Sequence, residues 1–271
     1  MQTYRKLRRS VLQLVLLALL SAAALTQAQD RQSPVDFNAQ DVDHVKKLPK
    51  VKVKMSTHVT LSVLNTWNPA DTNIHGGPLP KEFCTAKATV PPGAGSLEVD
   101  GHTYNLLQFH WHTPGEHTVD GEHTPMEVHF VFLDSQKNAG EPDSLLVVGA
   151  WMVKGKADKD LEKVFSQLPA PDTTVTITDF NLNRYFPNVK GSFRYPGSLT
   201  APASFPPYTA SLADQVDTDI FPEIVALFII VDEPMDVSSE QIDQFKALFP
   251  EPEGNSRHTQ PLDGRRVLHG K

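Results

Sequence analysis

Two segments decide the fold: Leu106-Leu107-Gln108-Phe109-His110-Trp111-His112, and the returning Met126-Glu127-Val128-His129-Phe130-Val131. In a β-strand successive side chains point to opposite faces, so residues two apart share one. Gln108, His110 and His112 then project one way, and Leu107, Phe109 and Trp111 the other. In the second segment Glu127, His129 and Val131 lie opposite Val128 and Phe130. Turn residues Pro114-Gly115 and Asp120-Gly121 separate the two. Antiparallel pairing brings a third imidazole beside the first two.

Outward from this pair, short runs rich in Val, Thr, Phe and Tyr recur between Gly, Pro, Asn and Asp clusters. They predict strands over 57–64, 84–90, 103–112, 126–133, 144–153, 173–178 and 225–231, with turns at Pro91 to Gly95 and Asp100-Gly101. A helix is expected over 158–168, where Leu161, Val164, Phe165 and Leu168 share a face. A second is expected over 238–249, capped by Ser238 or Ser239 and striped by Ile242, Phe245, Leu248 and Phe249. There is no internal repeat, and 200–222, broken by Pro202, Pro206, Pro207 and Pro222, reads as a surface loop. The expected architecture is one mainly β domain of the α+β class.

The chain has 271 residues, 39% hydrophobic and 21% charged, enough apolar material for a sizeable core and too much for wholesale disorder. Residues 1–28 have the layout of a secretory leader: Arg5, Lys6, Arg8 and Arg9, an apolar run from Val11 to Leu20, then small residues ending at Ala28. The expectation is a cleaved signal peptide, a domain over 29–271, and a secreted or periplasmic location with no membrane span in the mature protein. Removing 1–28 takes the net charge from −7 to −11. Such an acidic chain offers little footing for a phosphate backbone, so nucleic acid is not an expected partner. The single cysteine, Cys84, excludes an internal disulfide framework and a Cys-rich zinc site, and is expected to be buried.

Five of the eleven histidines, His110, His112, His117, His123 and His129, fall within twenty residues. One strand histidine is ordinarily a half-buried side chain. His-x-His with a third His on a neighbouring strand, and polar residues on the same face, points instead to three neutral imidazoles. That is the ligand set of a catalytic zinc with an open position for water. Ligating imidazoles need acceptors that fix their tautomers, and Gln108 and Glu127 each stand two residues before a ligand on its own face. A rival metal reading, like that of the cupins, makes Glu116 a fourth ligand after His110-x-His112, but the spacing to His129 and the missing Pro-x-Gly turn disfavour it. The turn around His117 and His123 can expose both, and His123 reads as surface.

Several collinear motifs carry a family resemblance. Gln32-Ser33-Pro34-Val35-Asp36 and Gly76-Gly77-Pro78-Leu79 come first. Gln108 to His112, Glu116 to Gly121 and Pro125 to His129 follow. Gly197-Ser198-Leu199-Thr200, Glu233-Pro234, Val237 to Gln241, and Asn255-x-Arg257-x-x-Gln260-Pro261-Leu262 complete the set. Together they resemble the α-class carbonic anhydrases. The resemblance implies a large, twisted, mostly antiparallel central sheet with a few peripheral helices. It implies Zn2+ on His110, His112 and His129, with Gln108, Glu127 and the Asn255 carbonyl supporting the ligands and His117 as a structural neighbour. Thr200 and Glu116 would orient a zinc-bound hydroxide for reversible hydration of CO2 to bicarbonate and a proton. Val131, Val147 and Leu199 would line the CO2 wall, and Phe228 stands where the family usually has Trp.

Departures from the family pattern lie at the edges of the site. Only Gln29-Asp30-Arg31 precede Gln-Ser-Pro once the leader is removed. Asn68 falls where the proton-shuttle His belongs; His75 is a substitute candidate, and no shuttle is assigned. Thr200 is followed by Ala201-Pro202-Ala203 rather than Thr-Pro-Pro, and one Cys cannot form the disulfide of secreted relatives. The alternative function is a carbonic-anhydrase-like binding or structural protein with reduced or lost catalysis.

Overall fold

A computed structural model of the chain describes residues 31–67, 84–137, 144–200, 225–249 and 254–271. The leader over 1–28, Asn68, His75, Gly76 to Leu79 and the 201–224 loop lie outside the described residues. Runs of β-branched and aromatic residues alternating with polar ones extend. They give β1 (Asp36–Phe37), β2 (Val42–His44), β3 (Val51–Met55), β4 (Val59–Asn65), β5 (Ala86–Thr89), β6 (Gly95–Val99), β7 (His102–His112) and β8 (Thr118–Val119). These are followed by β9 (Glu122–His123), β10 (Met126–Asp134), β11 (Leu145–Lys154), β12 (Thr174–Phe180), β13 (Ser192–Ser198), β14 (Val225–Val237) and β15 (Val267–Gly270). The helices are α1 (Lys159–Phe165), α2 (Leu182–Tyr185) and α3 (Ser239–Lys246).

The seven strands expected from the sequence form as β4, β5, β7, β10, β11, β12 and β14. They belong to one sheet with the order β12-β4-β5-β7-β10-β11-β14-β13-β15-β2, with β6 on β7 and β3 on β6. Pairing is antiparallel except for β11 with β14 and β15 with β2. The expectation of a mainly β domain on a large, mostly antiparallel central sheet therefore holds, and a separate three-stranded sheet, β1-β8-β9, in which β1 and β8 run parallel, lies beside it. Both helices are shorter than their periodicity suggested. Asp158 caps α1 by accepting from the Asp160 and Leu161 amides, and the helix ends at Ser166. Ser238, not Ser239, caps α3 through a reciprocal capping box with Gln241.

The sheet separates two cores. On one face Phe109, Trp111, Val128, Phe130, Val148 and Met152 are buried against the helices. Trp111 meets Phe165 of α1 edge-on at 5.1 Å, and Phe165 stacks on Phe245 of α3 at 5.3 Å. On the other face a smaller cluster gathers Val131, Val147, Trp151, Tyr195, Leu199 and Phe228. The imidazoles lie on that second face. Cys84 is buried, as expected, and is in no disulfide among the described residues.

The aromatic face contains one demanding polar contact. Trp111 Nε1–H donates to Tyr185 Oη at 2.7 Å, and both residues are buried. Tyr185→Phe leaves that indole N–H without its acceptor and is expected to lower stability by about 1–3 kcal/mol. The measurement is the urea unfolding midpoint at unchanged slope; an unmoved midpoint would show that the bond contributes nothing.

Candidate metal centre

Register builds the centre. In the β7–β10 ladder His129 stands opposite His110, Glu127 opposite His112, and Val131 opposite Gln108. All five polar side chains therefore emerge on one face, and the ligating atoms of His110, His112 and His129 lie within 4.8 Å of one another. His112 is fully buried, His129 is 1% exposed and His110 8%, so the cluster opens to solvent on the His110 side. Gly149 of β11 stands opposite His129. A Cβ there would lie 2.5 Å from Ile230 Cδ1, 3.2 Å from Glu127 Oε1 and 3.4 Å from His129 Cδ2, so the missing side chain makes room for the ligand and its acceptor.

Each imidazole has one nitrogen engaged by an acceptor. Gln108 Oε1 lies 2.9 Å from His110 Nδ1, the Asn255 carbonyl 3.1 Å from His112 Nδ1, and Glu127 Oε1 2.7 Å from His129 Nε2. These oxygens can only accept, which puts the proton on the engaged nitrogen and leaves the lone pair on the other. His112 Nε2 is buried and has no hydrogen-bond partner among the described residues. An orphaned buried nitrogen, two more lone pairs beside it and three acceptors behind form a donor set that fits zinc.

Asn255 is tied down by every polar group it has. Its amide N–H donates to Thr113 O and its side-chain NH2 to Cys84 O and Trp111 O, while its Oδ1 accepts from the Thr113 amide. Gly254 enters this contact at φ 59°, where a side chain would collide with the Thr113 carbonyl.

Glu127 is buried and saturated. Its Oε1 also accepts from His117 Nδ1–H at 2.6 Å, and its Oε2 from the His117 amide at 2.8 Å. The charges of His117 and His129 outweigh burial and hold the Glu127 carboxyl well below the usual carboxylate range. Burial pushes His129 toward neutrality, but the Glu127 charge and hydrogen bond raise it on balance. His110 is held well below the imidazole range by burial and by its cationic neighbours, and burial also lowers His112. Those two rings stay neutral, as ligands must.

The turn, which could have exposed His117, does not: its side chain is fully buried between Glu127 and Tyr195 Oη, which lies 2.6 Å from Nε2, in the place expected of a structural neighbour of the ligands. The turn is anchored through Trp151, whose indole donates to His117 O. His123 is exposed, with Nδ1 2.6 Å from Gly115 O. Glu116 is buried; its Oε1 accepts from the Arg257 amide at 3.0 Å, and its Oε2 has no hydrogen-bond partner among the described residues. Glu116 Oε1 lies 3.2 Å from His112 Nδ1 and Oε2 3.8 Å from His129 Nδ1, and Glu116 belongs to neither candidate ligand cluster among the described residues, which weighs against the four-ligand reading. Thr200, Leu199, Val131, Val147 and Phe228 are all buried, and the Phe228 ring lies 5.9 Å from His129.

Sequence reasoning missed Tyr195, Gly149 and Lys87. Lys87 stands opposite His110 in the β5–β7 ladder, and burial lowers its ammonium pKa. Nothing in local pattern marks Gly149 or Lys87. Tyr195 reaches Ser33 Oγ at 2.9 Å, so the Gln-Ser-Pro motif was the available signal.

Comparison with known proteins agrees with this geometry. The family described as eukaryotic-type carbonic anhydrase matches residues 21–207. A carbonic anhydrase of Pectobacterium carotovorum is 31% identical over 187 residues, 68% of this chain and 66%, just under two thirds, of that protein. The mitochondrial carbonic anhydrase 5B of Mus musculus is 30% identical over 266 residues, covering 90% of this chain and 74% of its own. Among solved structures, the α-carbonic anhydrase from Thermovibrio ammonificans, in complex with sulfanilamide, superposes with a TM-score of 0.64 at 30% identity, over 88% of this chain and 87% of that one. A hyperthermostable carbonic anhydrase from a hydrothermal vent chimney gives 0.65 at 28% identity, over 89% and 88%.

Glu127→Gln keeps the shape of this acceptor but removes its charge and one of its accepting oxygens. Zinc affinity is expected to fall about 10–100-fold, measured by competition with a chromophoric chelator. Wild-type affinity in the variant would refute the role given to Glu127.

Proposed function

The chain belongs to the eukaryotic-type carbonic anhydrase family, and we propose that it catalyses reversible hydration of carbon dioxide to bicarbonate and a proton with zinc held by His110, His112 and His129. The observation that carries this reading is the convergence of three imidazole lone pairs, each opposed by an acceptor on the other nitrogen. Zinc, when bound, lowers the pKa of water to about 7, a value for which carbonic anhydrase is itself the standard example.

The chain's own residues supply orientation. Glu116 is held by the Arg257 amide on one oxygen, and a carboxylate only accepts, so its second oxygen is the natural acceptor for the Thr200 hydroxyl. With its proton committed there, Thr200 Oγ1 is left as an acceptor toward the nucleophile and selects one orientation of it. Val131, Val147, Leu199 and Phe228 pack as one apolar cluster beside His129. An uncharged, apolar substrate needs such a dry wall rather than a charged clamp.

The basic start and apolar run of residues 1–28 support a further assignment as a cleaved leader that takes the enzyme to the periplasm or outside the cell. N-terminal sequencing of exported protein tests it; a mature form retaining the apolar run would contradict the cleavage.

Stopped-flow CO2 hydration by the zinc-loaded protein tests the main proposal. Wild type should be active and His112→Ala reduced to background. Thr200→Ala should lose on the order of a hundredfold in kcat. A zinc-loaded wild type without activity at any pH near neutrality, even in concentrated buffer, would favour the binding or structural alternative.

A further inference from the structure

One line of register crosses the sheet from the centre to its far edge. His129 faces Gly149, Gly149 faces Ile230, Ile230 faces Phe193, Phe193 faces His269, and His269 faces His44. We propose that His44 and His269 form a second site for a divalent transition-metal ion, separate from the three-histidine centre.

The two rings are brought edge to edge by the β15–β2 ladder, with His269 Nδ1 3.1 Å from His44 Nδ1. Two nitrogens sharing one tetrahedral ion at the usual bond length lie about 3.3–3.4 Å apart, so the observed separation needs only a small opening. His269 is prepared as a ligand. Its Nε2 faces both carboxylate oxygens of Asp232, at 3.0 and 3.1 Å, an acceptor that puts the proton on Nε2 and leaves the lone pair on Nδ1. This is the carboxylate–imidazole arrangement that raises ligand basicity behind a metal.

The carboxylate and ring are themselves held. The Asp232 amide donates to Gly191 O, and its carboxylate occupies the space a side chain at Gly191 would take. The His269 ring stacks on Phe193 at 4.3 Å and 15°, which restricts its rotation. His44 is exposed, so two coordination positions face water. Imidazole donors with open water positions suit zinc, copper and nickel rather than calcium or magnesium. Asp43, the adjacent carboxylate, is paired with Arg266 at 2.6 Å and turned to that partner.

In the absence of metal one proton shared between the two Nδ1 atoms accounts for the same distance, so the experiment must separate proton from metal. Full-length protein is stripped, dialysed against buffered Zn2+ and its bound zinc counted. Wild type is expected to hold one zinc more than His44→Ala, while His112→Ala loses the other one and keeps this one. Asp232→Asn should weaken this site about tenfold without changing the three-histidine centre. In wild type, zinc added beyond the first equivalent should shift the ring NMR signals of His44 and His269. Equal zinc in wild type and His44→Ala, or ring signals that do not move, overturns the proposal.

Discussion

A slip of one residue between β7 and β10 would send His129 to the aromatic face and leave two imidazoles with no third. What prevents the slip is on the other side of the sheet. Phe109 stands opposite Phe130 and Trp111 opposite Val128, all fully buried. Each such side chain contributes about 1.5–3 kcal/mol by leaving water, and all of it would be lost if the ladder moved by one. The aromatic core therefore sets the spacing of the imidazoles from the opposite face of the sheet.

Burying so many polar groups on the second face is tolerable because nearly all are paired. Glu127 carries a charge with no solvent, yet it receives two bonds from His117 and one from His129. His117 is steadied in turn by Tyr195, and its ring stacks on Phe37 at 5.7 Å. Against that background the unpaired atoms stand out. Among the described residues His112 Nε2 and Glu116 Oε2 have no hydrogen-bond partner, in a region where desolvated polar atoms are costly. Both belong to residues proposed to hold the metal and to orient the nucleophile.

Strand alternation made the His110, His112 and His129 grouping legible, together with Gln108 and Glu127, because a period of two needs no tertiary information. The long strands and both apolar helix stripes were legible for the same reason. β2, β3, β6, β13 and β15 were not: they are short, or, like Arg194 to Gly197, carry residues that break the alternation. Burial of His117 was hidden because Glu116 to Asp120 reads as a polar turn, and only Glu127 on the next strand draws the ring inward. Gly149 illustrates another limit, since its value lies in what is absent beside His129 and Glu127. The role of Asn255 came from family resemblance, not from pattern.

The acceptor behind His112 comes from a residue 143 positions later in the chain. Asn255 also closes on Thr113, Cys84 and Trp111, drawing a late segment onto strands synthesised well before it. During synthesis, which runs at about 5–20 residues per second, β7 and β10 can leave the ribosome and pair many seconds before that acceptor exists. Through this interval the nascent chain has its three imidazoles but lacks one of the groups that hold them. The tautomer of the His112 ring is therefore fixed only after Asn255 has emerged.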